Sequence, residues 1–113
     1  MKQYALPKSS LLRTESEFEY VYSRGRRVYG DRFCLVFAAN SYGYNRLGIS
    51  VHRKIRGAVR RNRIKRIIRE SFRLNRDIYP AGADIVFAVK PGFPLTSTRA
   101  VAEAVSLFVF SNE

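Results

Sequence analysis

The chain has 113 residues, 46% of them hydrophobic, which is enough for one domain with a substantial buried core. Its 21 lysines and arginines, set against nine aspartates and glutamates, give a formal net charge of +12. One cysteine and one histidine exclude an internal disulfide and a histidine-rich metal site, and the lack of a signal peptide or a membrane-length apolar run indicates a cytoplasmic protein with no membrane partner.

A first helix is predicted within residues 9–24. Ser9 or Ser10 could begin it, but Thr14 is the better candidate. Thr14 followed by Glu17 is the pattern of a capping box, in which the side chain of each residue accepts a hydrogen bond from the backbone of the other. The apolar positions that follow share one helical face: Phe18, Val21 and Tyr22. Gly25 is suited to end the helix.

Two strands are predicted next. Residues 27–39 read as extended chain, and the continuous apolar run at 33–37 is typical of a strand that is covered on both faces. The polar segment 40–45 has the composition of a turn, and residues 46–51 form a second strand. We expect this second strand to be the hairpin partner of the first.

Residues 52–76 carry nearly all of the excess charge, with eleven lysines and arginines and one acid, Glu70. In this segment the hydrophobic period becomes helical, and a helix is predicted from Gly57 or Ala58 to about Asn75. One side of it is apolar: Ile64, Ile67, Ile68, Ser71, Phe72 and Leu74. The opposite side is polar and basic: Asn62, Lys65, Arg66, Arg69 and Arg73. We expect the apolar side to dock on a sheet and the basic side to face water.

A third strand is predicted at residues 84–90, and the segment 91–94 ends it because it contains two prolines. Thr96 or Ser97 is suited to cap a final helix that runs to about Phe110. The predicted buried stripe of this helix is Val101, Ala104, Val105 and Phe108.

This order of elements predicts the fold class α+β, with one domain over residues 1–113 and a small sheet. The sequence contains no internal repeat, no low-complexity tract and no linker that would indicate a second domain. Only residues 1–8 are expected to be loosely ordered.

The basic side of the predicted second helix indicates a polyanionic partner. Most charged helix faces are simply solvated, but such faces usually mix charges of both signs, whereas Glu70 is the only acid here. Arginines at positions 66, 69 and 73 line up along one ridge, which suits a run of phosphates. RNA is favoured over DNA because no helix-turn-helix, zinc finger or basic zipper is visible.

No catalytic residue and no metal site are predicted in the chain itself. His52 is the only side chain suited to general acid–base catalysis near neutral pH, and it has no second histidine to act with. Asp84 is assigned to a turn or a cap in preference to a cation site, and Cys34 is assigned to the core. These residues give no indication that the chain itself is a catalyst.

Two stretches of the sequence form a specific motif: residues 48–54 read GISVHRK, and residues 58–73 read AVRRNRIKRIIRESFR. They resemble the signature of the bacterial ribonuclease P protein component, with supporting similarities at Phe18, Tyr22 and residues 84–86. The resemblance implies an αβ sandwich with three helices, a mixed sheet of about four strands and a left-handed βαβ crossover. It also implies a function, which is to assist the endonucleolytic removal of the 5′ leader from precursor tRNA.

The resemblance implies two partners, namely a catalytic RNA subunit, which holds the active site and its Mg²⁺ ions, and a precursor tRNA. It assigns no catalytic residue, metal or cofactor to the protein alone. Contacts with the catalytic RNA are implied for Lys54, Arg61, Asn62, Arg63, Lys65, Arg66 and Arg69. A central cleft that holds the single-stranded leader is implied for Phe18, Tyr22 and Val36.

Two positions depart from the family pattern. Arg56 and Gly57 stand where many members have glycine followed by a variable residue, so the turn into the helix is expected to differ. Val36 stands where some relatives carry an aromatic residue, which weakens the expectation that this strand stacks on a base. The alternative function is that of a structural RNA-binding protein of ribosomal type with no role in cleavage, since such a protein shares the size and the charge.

Overall fold

The computed structural model describes residues 6–108. In chain order its elements are α1 (Glu15–Arg24), β1 (Arg26–Gly30), β2 (Phe33–Ala39), β3 (Arg46–Val51), α2 (Ala58–Leu74), β4 (Ala83–Val89) and α3 (Thr98–Ser106). The α+β class, the three helices and the mixed four-stranded sheet are confirmed. The prediction for residues 1–5 lies outside the described residues. The helix predicted to run to about Phe110 is too long, because α3 ends at Ser106 and Leu107 is its C-cap. Between residues 6 and 108, no helix has the length and apolar character needed to cross a membrane.

The strand order in the sheet is β1-β2-β4-β3. Strand β2 runs antiparallel to both of its neighbours, whereas β4 runs parallel to β3. The two central strands are the two with continuous apolar runs, because a central strand is paired on both edges and covered on both faces. At the outer edge of β3, Leu11 forms an additional parallel bridge with Leu47.

The predicted hairpin between residues 33–39 and 46–51 is wrong, because β3 pairs with β4 and α2 provides the crossover between them. The hairpin joins β1 and β2 through Asp31 and Arg32, so the extended segment 27–39 contains two strands. Arg32 reverses the chain with a φ of 62°, in the left-handed region. This turn lacks the Asn-Gly or Asp-Gly pair that makes a tight hairpin visible in a sequence.

One face of the sheet packs against α2 and α3, and we call it the α2 face. Its largest buried side chains are Phe33, Leu35, Leu47, Ile85 and Phe87 from the strands and Ile64, Ile68, Phe72, Val101 and Val105 from the helices. The rings of Phe33 and Phe87 stack with their centroids 5.0 Å apart. The predicted apolar side of α2 is confirmed except at Leu74, which is 56% exposed. Leu74 is the last residue of the helix and lies at the margin of the apolar side, beyond the reach of the core.

The opposite face of the sheet is covered by α1, and we call it the α1 face. Val21 of α1 is fully buried there against Cys34, Val36 and Val86, which confirms the core position of Cys34. Gly25 ends α1 as predicted, but with a φ of −81° it is not in the left-handed region. A Cβ at this position would lie 2.5 Å from the carbonyl oxygen of Val21 and 2.8 Å from Cγ1 of Val36, so glycine is required by close packing.

Both predicted helix caps are present, and because Thr14 is the N-cap, α1 begins at Glu15 and residues 9–13 of the predicted span lie outside it. The amide of Glu17 donates to Thr14 Oγ1 at 3.2 Å, and the amide of Thr14 donates to Glu17 Oε1 at 3.0 Å, which completes the capping box. The amide of Arg13 also donates to Glu17 Oε1, at 2.7 Å. These hydrogen bonds from the Arg13 and Thr14 amides hold the pKa of Glu17 below its ordinary value. In α3, Ser97 accepts a hydrogen bond from the amide of Ala100.

The assignment of Asp84 to a turn or cap is wrong, because Asp84 is buried at the start of β4 and forms an ion pair with Arg46 of β3. Arg46 Nε donates to Asp84 Oδ1 at 2.8 Å, and Arg46 Nη2 donates to Oδ2 at 2.7 Å. Asn40 Nδ2 also donates to Oδ1, at 2.9 Å. The hydrogen bonds and the charge of Asp84 raise the pKa of Arg46 above its ordinary value. The network joins strands β3 and β4 at one end of the α1 face.

Candidate nucleic-acid interface

The basic side of α2 faces solvent as predicted. Asn62, Arg63, Arg66 and Arg69 are exposed, and Lys65 is half-buried. None of these four cations forms a salt bridge with a carboxylate in residues 6–108. Because like charges on one helix repel, the arrangement favours a partner that supplies negative charge.

Arg73, which was predicted on the same side, is bound within the helix. Its Nη2 donates to Glu70 Oε1 at 2.6 Å and its Nε donates to Oε2 at 3.0 Å. These hydrogen bonds hold the pKa of Glu70 below its ordinary value and raise the pKa of Arg73. The one acid of α2 therefore offsets the charge at the C-terminal end of the helix and leaves the first three turns basic.

Arg61 lies apart from the exposed ridge. Its guanidinium donates to the carbonyl oxygens of Val51 at 3.0 Å, His52 at 3.0 Å and Ile55 at 2.9 Å. The side chain thus ties the end of β3 and the following loop to the first turn of α2. A direct contact between Arg61 and the catalytic RNA stays a prediction, and the position of its guanidinium indicates that it also holds this loop in shape.

The loop before α2 carries further cations. Lys54 is exposed, and its amide donates to Nδ1 of His52 at 3.1 Å. Arg53 and Arg56 are exposed beside it, and the loop borders a surface depression of about 740 Å³. Gly57 has a φ of 91°, a left-handed conformation that favours glycine, so in this chain the turn into the helix falls at Gly57. Lys54 therefore continues the basic side of α2 toward the sheet.

The three residues predicted to line a leader cleft do not share one environment. Phe18 and Tyr22 are half-buried on the exposed margin of α1 and pack on the α1 face of the sheet. Val36 has no exposed surface, because Val21 and Gly25 of α1 lie directly over it. The predicted position of Val36 on the wall of an open cleft is therefore wrong, and its side chain supports α1 from below.

A cavity of about 240 Å³ connects α1 with α2 at the outer edge of β3. Phe18 and Gly48 line it on the side of the sheet, and Lys65 and Arg69 line it on the side of α2. Arg13 is a third cation at this cavity, which the sequence analysis missed. Its only signal in the sequence is its position directly before the N-cap residue Thr14. An aromatic ring and three cations that form no salt bridge within residues 6–108 suit a nucleotide, since the ring stacks on a base and the cations bind phosphate.

A cation also lies on the second aromatic residue of α1. The guanidinium of Arg27, in β1, is 5.7 Å from the centroid of the Tyr22 ring. The alternation of β1 places Arg27 on the α1 face, where it pairs directly with Val36. Phe18 and Tyr22 therefore lie on the same side of α1 and each has cations beside it, Phe18 near β3 and Tyr22 near β1.

The described residues contain no group of three or more His, Cys, Asp or Glu placed to hold a metal ion. His52 is exposed at the end of β3, and its Nδ1 is engaged by the amide of Lys54. Asp84 is engaged by Arg46, and Cys34 is buried. The side chains at this interface are thus suited to bind phosphates and bases by charge, hydrogen bonding and stacking.

Comparison with known proteins gives one consistent set of relatives. A family model described as Ribonuclease P matches residues 6–110. The chain is 58% identical over 105 residues to the ribonuclease P protein component of Desulfotalea psychrophila, covering 93% of this chain and 88% of the relative. It is 43% identical over 90 residues to the ribonuclease P protein component of Syntrophus aciditrophicus, covering 80% of this chain and 76% of the relative.

The fold has relatives among solved structures as well. The RNase P protein from Thermotoga maritima superimposes with a TM-score of 0.73 and is 35% identical, covering 83% of this chain and 89% of that chain. The RNase P protein from Staphylococcus aureus superimposes with a TM-score of 0.73 at 28% identity, covering 85% of this chain and 88% of that chain. The similarity thus extends over both the sheet and the helices that carry the interface.

Proposed function

Because the chain belongs to the ribonuclease P protein family, we propose that its interface holds two RNA molecules at once, the RNA subunit of the enzyme and a precursor tRNA. The protein works as a subunit of an endoribonuclease in which the catalytic role lies with the RNA. The proposal divides the interface between these two partners and assigns each a set of side chains.

The basic side of α2 and the loop before it are assigned to the RNA subunit. The support for this assignment is the exposure of the basic side and the absence of salt bridges from its cations in the described residues. Guanidinium and ammonium groups on this surface are positioned to bind phosphates along a folded RNA. The side chains assigned to this contact are Lys54, Arg61, Asn62, Arg63, Lys65, Arg66 and Arg69.

The margin of α1 is assigned to the single-stranded 5′ leader of the precursor tRNA. Phe18 and Tyr22 present ring surface there, and an unpaired base stacks on such a surface. The cavity at Gly48 carries the proposal, because Phe18 there lies beside Lys65 and Arg69 of the helix assigned to the RNA subunit. A leader bound at Phe18 is thereby placed next to the catalytic RNA.

The proposed benefit to the reaction is electrostatic. Two polyanions that meet at one site repel each other, and fixed positive charge between them reduces that repulsion without requiring additional cations from solution. We assign the Mg²⁺ ions of the reaction to the RNA subunit. The protein, which acts in tRNA maturation in the cytoplasm, then lowers the Mg²⁺ concentration at which leader removal proceeds.

The test is reconstitution with a bacterial ribonuclease P RNA and a precursor tRNA at a Mg²⁺ concentration too low for the RNA alone. The protein is expected to restore cleavage, and it is expected to cleave nothing when the RNA subunit is omitted. Binding of both RNAs without restored cleavage would favour a structural RNA-binding protein. Cleavage by the protein alone would show an autonomous ribonuclease.

The assignment of the leader is tested in the same assay with Phe18→Ala. We expect this variant to weaken the binding of precursor tRNA to the holoenzyme and to leave the binding of mature tRNA nearly unchanged. Tyr20→Ala is the matched control, because Tyr20 is an exposed aromatic residue on the other side of α1. Equal losses for precursor and mature tRNA would reject the assignment of Phe18 to the leader.

A further inference from the structure

Tyr29 is an aromatic side chain on the α1 face that neither the core nor the assigned leader site uses. It lies in β1 directly opposite Cys34, and the alternation of the strand places it on the same face as Arg27. Tyr29 is 64% exposed, so much of its ring is accessible, and an amphipathic ring of this kind is well suited to an interface. An exposed aromatic residue beside a proposed RNA site is a candidate for a further contact with that RNA.

Two cations accompany the aromatic residues on this face. The ammonium of Lys90, just after β4, lies 5.5 Å from the centroid of the Tyr29 ring. Two residues before Tyr29 in β1, the Arg27 guanidinium lies over the Tyr22 ring. Neither Lys90 nor Arg27 forms a salt bridge within residues 6–108. The α1 face therefore presents two pairs of an aromatic ring and a cation next to each other.

The arrangement forms a continuous path across the sheet. Phe18 lies at the outer edge of β3, where it contacts Gly48, and Tyr22 lies toward β1. Tyr29 lies on β1, the opposite edge strand of the sheet, beyond Tyr22. Between them the floor includes Ala88 and Ser50, which are half-buried and small. The path begins at the basic side of α2 and leads away from it, so a molecule that follows it moves away from the RNA subunit.

We propose that Tyr29 stacks on an additional base of the leader, beyond the nucleotides bound at Phe18 and Tyr22, while Lys90 and Arg27 bind the adjoining phosphates. The proposal rests on the function assigned above. Alternating rings and cations on an open surface suit single-stranded RNA, because each unpaired base offers a face for stacking and each linkage offers a phosphate. Double-stranded RNA does not offer its base faces, so the path selects an unpaired segment.

The experiment measures the binding of precursor tRNAs with leaders of increasing length to the reconstituted holoenzyme. Wild-type affinity is expected to rise with leader length until the path is filled. Tyr29→Ala is expected to remove the last part of that rise, lowering affinity for long leaders by about five-fold or more, and to leave the shortest leader unaffected. Tyr29→Phe, which keeps the ring, is expected to behave as the wild type does.

Tyr42→Ala is the matched control. Tyr42 is 53% exposed and its ring also has a cation on it, Arg46 at 4.2 Å, but it lies in the loop between β2 and β3, at the other end of the α1 face. We expect no dependence on leader length for this variant. Lys90→Gln is expected to reduce the slope of log affinity against log salt by about 0.7 for long leaders only, the loss of one phosphate contact. Thermal unfolding of each variant verifies that the fold is intact.

The outcomes separate this inference from the proposed function. If affinity falls equally for all leader lengths in Tyr29→Ala, or falls for none, the contact at Tyr29 is rejected. If Phe18→Ala then still weakens leader binding, the leader site at α1 stands and only its extension fails. If wild-type affinity does not depend on the leader at all, the proposed function and the extension fail together.

Discussion

Gly48 shows how a single residue without a side chain positions a functional ring. A Cβ at this position would lie 2.7 Å from Cζ of Phe18 and 3.0 Å from Cβ of Leu12. Distances this short cannot be kept, so the absence of a side chain on β3 is what admits Phe18 to the sheet. Gly48 thereby holds the ring beside Lys65 and Arg69 at the cavity between α1 and α2.

Gly48→Ala is therefore expected to displace Phe18 and to weaken leader binding to the same degree as Phe18→Ala. The free energy of unfolding is expected to fall by about 1–3 kcal/mol, the usual result of an added methyl group in a packed site. Precursor tRNA binding and urea denaturation measure the two effects. Ser41→Ala is the control that should change neither, because Ser41 is exposed in the loop between β2 and β3, away from the proposed path of the leader. Unchanged leader binding in Gly48→Ala would show that the ring is not held by this contact.

The ion pair between Arg46 and Asp84 is a second feature that depends on individual side chains. Both side chains are nearly inaccessible, with exposed fractions of 10% and 6%. Arg46 Nη1 also lies 3.3 Å from Glu17 Oε2, which connects the pair to the capping box of α1. The pair therefore holds two strands and the start of a helix in one arrangement, and removing one partner leaves a charge with little access to water.

Asp84→Asn is expected to lower the free energy of unfolding by about 3 kcal/mol, because it leaves the guanidinium of Arg46 buried with only a partial partner. Asp31→Asn is the control, since the pair of Asp31 with Arg32 is exposed and its atoms are 3.9 Å apart. That variant is expected to change stability by less than about 0.5 kcal/mol. Urea denaturation compares the two, and equal effects would contradict a structural role for the buried pair.

At the scale of elements, the helix ends that carry a cap could be predicted closely, whereas the end of α3 and the strand partners could not. The helix predicted from Gly57 or Ala58 to Asn75 is observed at Ala58–Leu74, and Thr14 and Ser97 cap α1 and α3. Helix limits depend on local signals, namely the caps and the 3.6-residue period. The strand that pairs with β3 is β4, which the chain reaches only after the crossover through α2. No residue within 46–51 indicates this pairing.

The exposed charge of α2 is the element-scale property on which RNA binding depends. We expect Arg66→Gln with Arg69→Gln to weaken binding of the RNA subunit and to reduce the slope of log affinity against log salt by roughly 1.5, because each neutralised phosphate contributes about 0.7 to 0.9. Salt titrations of RNA binding measure the slope. Thermal stability should not fall, because neither side chain is buried.

The control for this double variant is Arg32→Gln with Arg99→Gln. Both of these arginines are exposed, and each is already paired with an acid, Asp31 and Glu103 respectively. The control removes the same formal charge from other surfaces, so its salt slope should stay near that of the wild type. Equal slopes in the two double variants would show that net charge, and not the basic side of α2, determines binding.

Over the whole molecule, the parts of the interface that could be predicted were those marked in the sequence by a helical hydrophobic period or by the family motif. The basic side of α2 follows from its helical period, and Phe18 and Tyr22 follow from the resemblance. Val36 was placed wrongly because its strand is apolar on both faces. The sequence therefore shows no alternation of polar and apolar residues from which the face of Val36 could be predicted. Arg61 donates to backbone carbonyl oxygens. Every residue has such a carbonyl, so the sequence does not mark these partners and the position of Arg61 is visible only in the structure.

The net charge of +12 has two consequences that salt should change in opposite directions. In the free protein the cations of α2 and its preceding loop repel one another, and this repulsion lowers the stability of the compact state. Salt screens it, since the Debye length falls from about 30 Å at 0.01 M to about 8 Å at 0.15 M. The same screening weakens the attraction to RNA.

We therefore expect the Tm of the free protein to rise by about 4 °C or more between 0.01 M and 0.15 M NaCl, which corresponds to about 1 kcal/mol of relieved repulsion. Over the same range the affinity for RNA should fall. The variant Arg66→Gln with Arg69→Gln should show a smaller rise in Tm, because part of the repulsion is already gone. Thermal unfolding and RNA binding in the same buffers make the comparison. A Tm that falls with salt would mean that attractive ion pairs outweigh the repulsion in the free protein. The basic side of α2 would then not be a surface of uncompensated charge that favours binding to a polyanion.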